Sequence, residues 1–209
     1  MNPEALGRAL AEHQARLSAC TQCPDMIGPV VIGAPAASRI LQIGQAPGPY
    51  EGKLGRPFAW TAGKTLFRWY ASLGVDEATF RQRVYMAAVC RCFPGKHPKG
   101  GDRVPNPTEI ARCGVWLAQE ARLLAPELVI PVGKLAIGQM LDSDRLDQVV
   151  GRVHRIAWQG RNVDVIPLPH PSGLSTWYKM EPGKTLLHEA LALIAAHPAW
   201  QRAFGAGAE

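Results

Sequence analysis

Four short apolar runs recur along this chain with helix-period segments between them, and that alternation restricts the fold more than any other feature. The runs are "RILQIG" (39–44), "RVYMAAVC" (83–90), "ELVIPVG" (127–133) and "NVDVIPLPHPSG" (162–173). Each reads as a strand of the buried kind, bounded by turn residues. After the first comes "TAGKTLFRWYASLG", with Leu66, Phe67, Tyr70 and Leu73 at helical spacing and Gly74 as a stop. A helix over about 108–124 follows the second run, "KLAIGQML" the third and "GKTLLHEALALIAAH" the fourth. Strands that alternate with helices pair in parallel and are covered on both faces. The expectation is a single α/β domain over 1–209, with a four-stranded, mostly parallel central sheet flanked by helices. A length of 209 residues suffices for one well-buried domain and is short for two. The N-terminal segment reads as an amphipathic helix with Leu6, Leu10 and Leu17 on one side, and the tail from about 201 to 209 is expected to fray.

Ligands of such sheets sit beyond the carboxyl ends of the strands. The loops placed there are "GQAPGPYEGKLGRPF", the stretch between Cys92 and Cys113, "GKLA" and "PHPSGLSTWY". The first is dense in glycine and proline yet carries Gln45, Tyr50, Glu51, Arg56 and Phe58, which suits either a plain surface connection or a shaped pocket. A formal net charge of +6 fits a polyanionic partner, because phosphate neutralisation by Lys and Arg drives nucleic-acid affinity; it also serves plain solubility. No run reaches the roughly 18 uncharged residues that span a bilayer. The N-terminus lacks the apolar stretch of a signal peptide. A cytoplasmic, nucleoid-associated protein without a membrane partner is expected.

The five cysteines, Cys20, Cys23, Cys90, Cys92 and Cys113, are an odd number and argue against a disulfide framework. Cys20 and Cys23 form a C-x-x-C after the first helix, and Cys113 lies near the start of the third. Cys90 and Cys92 flank Arg91 at a strand end. Four convergent thiols can hold tetrahedral zinc or an iron–sulfur cluster.

The ordered set C-x-x-C, "GQAPG", "GRPF", "AGK", the cysteine-flanked "PNPTE" loop and "HPSGLS" resembles the iron–sulfur branches of the uracil-DNA glycosylase superfamily, families 4 and 5, over nearly the whole chain. The resemblance implies a 4Fe–4S cluster on Cys20, Cys23, Cys92 and Cys113, with Cys90 a buried thiol. It implies hydrolysis of the N-glycosidic bond of uracil flipped out of single- or double-stranded DNA, by a monomer. Such hydrolysis passes through an oxocarbenium-like sugar while negative charge builds on the departing base. The catalyst needs a donor for that base, a group that orients water and a face for stacking. His170 is the expected donor and Phe58 the platform. Gln45 is expected to hold the water, and Glu51 to shape the pocket or assist the water. Gly44, Ala46, Tyr50 and Ala88 complete the base-contacting set, with Tyr50 pressing on the C5 edge. Lys64, Arg103 and Ser172 are expected on DNA phosphates, and Leu174 as the apolar wedge that fills the vacated stack.

Two departures stand out. Family 4 commonly has Glu where this chain has Gln45, and a glutamine cannot act as a base although its amide can hold water. Family 4 also places an Asn where Ala88 stands, whereas family 5 has Ala there and accepts more deaminated bases. The chain therefore reads as a hybrid that excises uracil with selectivity set by shape and backbone. The other readings are a uracil- or abasic-site binder with weak turnover, a protein that cross-links to DNA, and an electron-transfer protein. Against the cross-linker, the His such a branch uses falls on Asp102 here, with His97 out of register. Against electron transfer, no second redox site is present.

Overall fold

The computed structural model describes residues 2–143 and 145–205. In chain order the elements are α1 (Pro3–Ser18), β1 (Ile40–Gly44), α2 (Glu51–Leu54), α3 (Thr61–Ala71), α4 (Glu77–Arg83), β2 (Tyr85–Ala88), α5 (Pro107–Leu124), β3 (Leu128–Pro131), α6 (Lys134–Ile137), α7 (Leu146–Val149), β4 (His154–Trp158), β5 (Arg161–Val165), α8 (Gly183–Ala196) and α9 (Pro198–Phe204). One sheet, ordered β2-β1-β3-β5-β4, runs through the middle. β1 is its centre, with Leu41 opposite Tyr85 of β2 and Val129 of β3, both in parallel register. β5 extends the parallel part, and β4 returns antiparallel on the edge.

The sheet has five strands, not four. The added strand, β4, is "HRIAW", half-exposed throughout and therefore without the continuous apolar signature of the other runs. It joins β5 through Gln159 and Gly160, both at positive φ (49° and 78°), which is the backbone of a two-residue primed turn whose twist matches the paired strands.

Strand alternation separates two cores. Ile40, Ile130 and Ile166 face α3, α4, α8 and α9, where Tyr70, Phe80 and Trp200 pack ring against ring. Leu41, Ile43 and Val129 face α1 and α5, meeting Leu10, Leu117 and Leu124. Both faces are thus sealed, as the apolar runs require. Within the tail expected to fray, α9 continues to Phe204, whose ring packs on Trp200 (centroids 4.5 Å) and stacks parallel to Phe80. Residues 206–209 lie outside the described residues.

Helix starts follow their capping residues. Asn106 caps α5 by accepting the Glu109 N–H at 2.9 Å, and the Glu109 carboxylate returns to the Asn106 N–H at 2.7 Å. Between α1, β2 and α5 lies a buried polar network. Arg91 makes a two-pronged pair with Glu120, the Tyr85 hydroxyl donates to Glu120 at 2.7 Å, and His13 Nε2 stands 3.4 Å away. Burial alone would lift the Glu120 carboxyl, but Arg91 and the hydrogen bonds hold it below its usual range. Among the described residues, no helix is long and apolar enough to cross a membrane.

Candidate active site

A cavity of about 610 Å³ opens where the ends of β1 and β2 meet the loops after them and the loop after β5. Its volume is in the range of a small-ligand site. Gly44, Gln45, Ala46, Tyr50, Glu51, Phe58, Ala88, Arg103, His170, Ser172 and Leu174 all line it. The glycine- and proline-rich loop of the sequence is therefore a pocket wall and not a plain connection. Lys64 is the one expected contact outside this wall, exposed in the first turns of α3.

Phe58 is fixed from several sides. It holds a positive φ of 52°, unusual for a residue with a side chain. Its ring lies so near Gly44 that a Cβ there would stand 2.9 Å from the ring edge, and Gly63 packs against the Phe58 carbonyl. Arg81, from α4, donates to the carbonyls of Pro57 (2.9 Å) and Phe58 (3.2 Å). The result is an aromatic ring locked at the carboxyl end of β1.

Glu51 ties the same loop together. Its Oε2 accepts the Gly48 N–H at 2.7 Å and its Oε1 the Ala59 N–H at 3.0 Å. Burial raises its pKa against the pull of these hydrogen bonds. This geometry makes Glu51 a staple that shapes the loop forming the pocket wall. The staple also sets Tyr50 beside Trp60 (centroids 4.6 Å), each about half exposed at 48% and 46%. That is an outer position for a residue expected to press on the base.

His170 follows Leu168, which bridges to Val132 beyond β3. Gly133, at φ 88°, leaves room for the imidazole; a Cβ there would lie 2.9 Å from its Cδ2. The Ser172 N–H points at Nδ1 from 3.3 Å, which makes Nδ1 the acceptor and puts the proton of the neutral ring on Nε2. Burial depresses its pKa, with the charge of Asp102 opposing. Leu174 protrudes, 84% exposed.

The Cys92–Cys113 stretch folds back as a hairpin, with Lys96 paired to Asp102, and its Lys96, Gly101, Asp102 and Arg103 form one side of the cavity. The Arg103 guanidinium is held two-pronged by Glu109 at 2.8 Å and its Nε donates to the Pro94 carbonyl at 2.7 Å. It braces the hairpin against α5. His97 is outside the cavity lining, its Nδ1 accepting the Lys99 N–H at 3.1 Å.

A second cavity, of about 430 Å³, is lined by Cys20, Cys23, Cys92 and Cys113 together. Among the described residues, no three His, Cys, Asp or Glu side chains converge as ligands of a single ion. Cys90 is fully buried and outside that lining. Its thiol is hydrogen-bonded to Cys113, which with burial pushes the Cys90 pKa up, while the same bond and Arg91 bring Cys113 down to about 7.

Sequence reasoning missed Arg81, Gly133 and Trp60. Arg81 carried no local signal, because its role depends on where α4 lands. Gly133 stood at a visible strand end and was legible only as a turn.

An α/β sheet with a nucleotide-sized pocket beyond its carboxyl ends, walled by a fixed phenyl ring and a neutral imidazole, is a scaffold for gripping one flat base. Residues 31–195 match the Uracil DNA glycosylase superfamily, and the chain belongs to that superfamily. It is 32% identical over 162 residues to the type-4 uracil-DNA glycosylase of Thermotoga maritima, covering 76% of this chain and 79% of that one. It is 30% identical to the type-4 enzyme of Archaeoglobus fulgidus, covering 66% of this chain and 67% of that protein. A type-5 uracil-DNA glycosylase of Pyrobaculum aerophilum matches at 24% identity, over 58% and 64% of the two chains.

Proposed function

We propose that this protein is a monofunctional uracil-DNA glycosylase of DNA repair, acting as a single-domain monomer on the cytoplasmic chromosome. Its reaction is hydrolysis of the bond between uracil and deoxyribose in a nucleotide turned out of DNA. The observation that carries the reading is the pairing of a locked Phe58 ring with a neutral His170 across one cavity. The base stacks on Phe58, and the His170 Nε2–H donates to O2 as charge builds on the leaving uracil. Gln45 can hold the water, Gly44 and Ala46 border the base, and Leu174 fills the gap left in the stack. Ser172 and Lys64 meet the phosphates. Ala88 offers the base edge no amide, so discrimination rests on shape and backbone groups.

The four-cysteine cavity supports a 4Fe–4S cluster held by Cys20, Cys23, Cys92 and Cys113. All four thiols line one cavity between α1, the end of β2 and α5, as a cluster held by all four requires. Bound there, the cluster would act as a covalent staple joining α1, the β2 end and α5.

The test is release of free base from oligonucleotides carrying uracil, hypoxanthine, xanthine or thymine, single- and double-stranded, with His170→Ala and Gln45→Ala alongside. Uracil release that drops in His170→Ala supports the reading. Full activity of His170→Ala, or tight binding without any release, defeats it.

A further inference from the structure

Two carboxylates line the base-sized cavity, those of Glu51 and Asp102. Both Glu51 oxygens are committed to backbone N–H groups of the loop they close. Gln45 can orient a water through its amide but has no group that takes a proton at neutral pH. Asp102 is placed differently. Lys96 Nζ binds Oδ1 at 2.6 Å and fixes the side chain across the hairpin, while 40% of the side-chain surface stays open. Oδ2 is turned toward the catalytic loop, 3.7 Å from the point where a Cβ on Gly48 would stand. Asp102 and His170 line the same cavity, and the Asp102 charge opposes the depression of the His170 pKa.

We propose that Asp102 is a catalytic residue, the general base that receives the proton of the attacking water. The inference rests on the glycosylase reading. As the bond from C1′ to uracil breaks, its electron pair leaves on the base, where His170 Nε2–H meets O2. The water oxygen bonds to C1′ and its proton passes to Asp102, whose negative charge also stabilises the cationic sugar beside it. The uracil anion collects a proton from solvent after release, and the abasic sugar keeps the hydroxyl. The proton acceptor that Gln45 cannot be is in this way supplied from the cysteine-flanked hairpin, which lines the same cavity.

The experiment is steady-state kinetics of Asp102→Asn, Asp102→Ala and Lys96→Ala on a uracil oligonucleotide. Asp102→Asn is expected to lower kcat roughly 100-fold or more, with KM within about threefold and unchanged affinity for free uracil. Formate should restore part of the activity of Asp102→Ala, as a small carboxylate entering the vacated space. Lys96→Ala loosens the hairpin but keeps the carboxylate, and should lose far less. Wild-type kcat in Asp102→Asn overturns the assignment. An equal loss in Lys96→Ala without formate rescue of Asp102→Ala also overturns it, since Asp102 then only shapes the hairpin. If Asp102→Ala does not fold, the isosteric Asn variant decides by the same criterion. A wild-type protein that releases no uracil overturns the glycosylase reading, and the assignment with it.

Discussion

Replacing Gly44 with alanine tests whether the Phe58 ring must sit where it does. The new Cβ would stand 2.9 Å from Cε2 and 3.0 Å from Cζ of the ring, so Phe58 must retreat roughly 0.5 Å to reach ordinary 3.4 Å contact. The backbone under the ring cannot follow. Gly63 is packed against the Phe58 carbonyl so closely that a Cβ there would come within 1.7 Å of its oxygen, and Arg81 holds that carbonyl and the one before it. The ring therefore swings on its own χ angles into the cavity, at a stability cost of about 1–3 kcal/mol for local overpacking. Displacement of a substrate-positioning group by a sizeable fraction of an ångström lowers catalysis by about 10–100-fold. The assay is single-turnover uracil release together with thermal unfolding. A folded Gly44→Ala with wild-type turnover would refute the stacking role of Phe58. A matched Gly63→Ala should instead fail to fold stably, because there the clash is with backbone.

His170→Ala should lower kcat about 10²–10³-fold through loss of the donor to the leaving base. Because burial depresses its pKa, the neutral ring survives as pH falls below the ordinary histidine range of about 6.5, so activity should persist there and fail only at lower pH. A pH–kcat profile that already falls near pH 7 would contradict that. Glu120→Ala leaves Arg91 buried without its partner and should destabilise the fold by about 3–5 kcal/mol in chemical denaturation; a loss under about 1 kcal/mol would show that the network is dispensable. Alanine at Cys20, Cys23, Cys92 or Cys113 should abolish bound iron and the broad visible absorbance, whereas Cys90→Ala should keep both, measured as iron and sulfide per chain.

The sheet and its helices were legible because burial on both faces demands unbroken apolar runs, and β1, β2, β3 and β5 each carry one. The pocket wall was legible from the turn chemistry of residues 43–60 and from His170 at a strand end. The edge strand β4, half-exposed, had no such run, and helix α9 lay in a segment whose small residues suggest fraying until Trp200 and Phe204 find the aromatic core. Only the tertiary structure could decide the use of charged side chains. Arg103 and Glu51 stand out as charged candidates in the sequence, yet Arg103 pairs with Glu109 and Glu51 with two backbone amides, while Asp102, no candidate there, lines the cavity with Oδ2 toward the Gly48 loop. The alternation of apolar runs is a local property, fixed by each segment's own periodicity. Which charge is satisfied by a neighbour and which is left to meet a ligand depends on contacts that exist only after distant segments have packed.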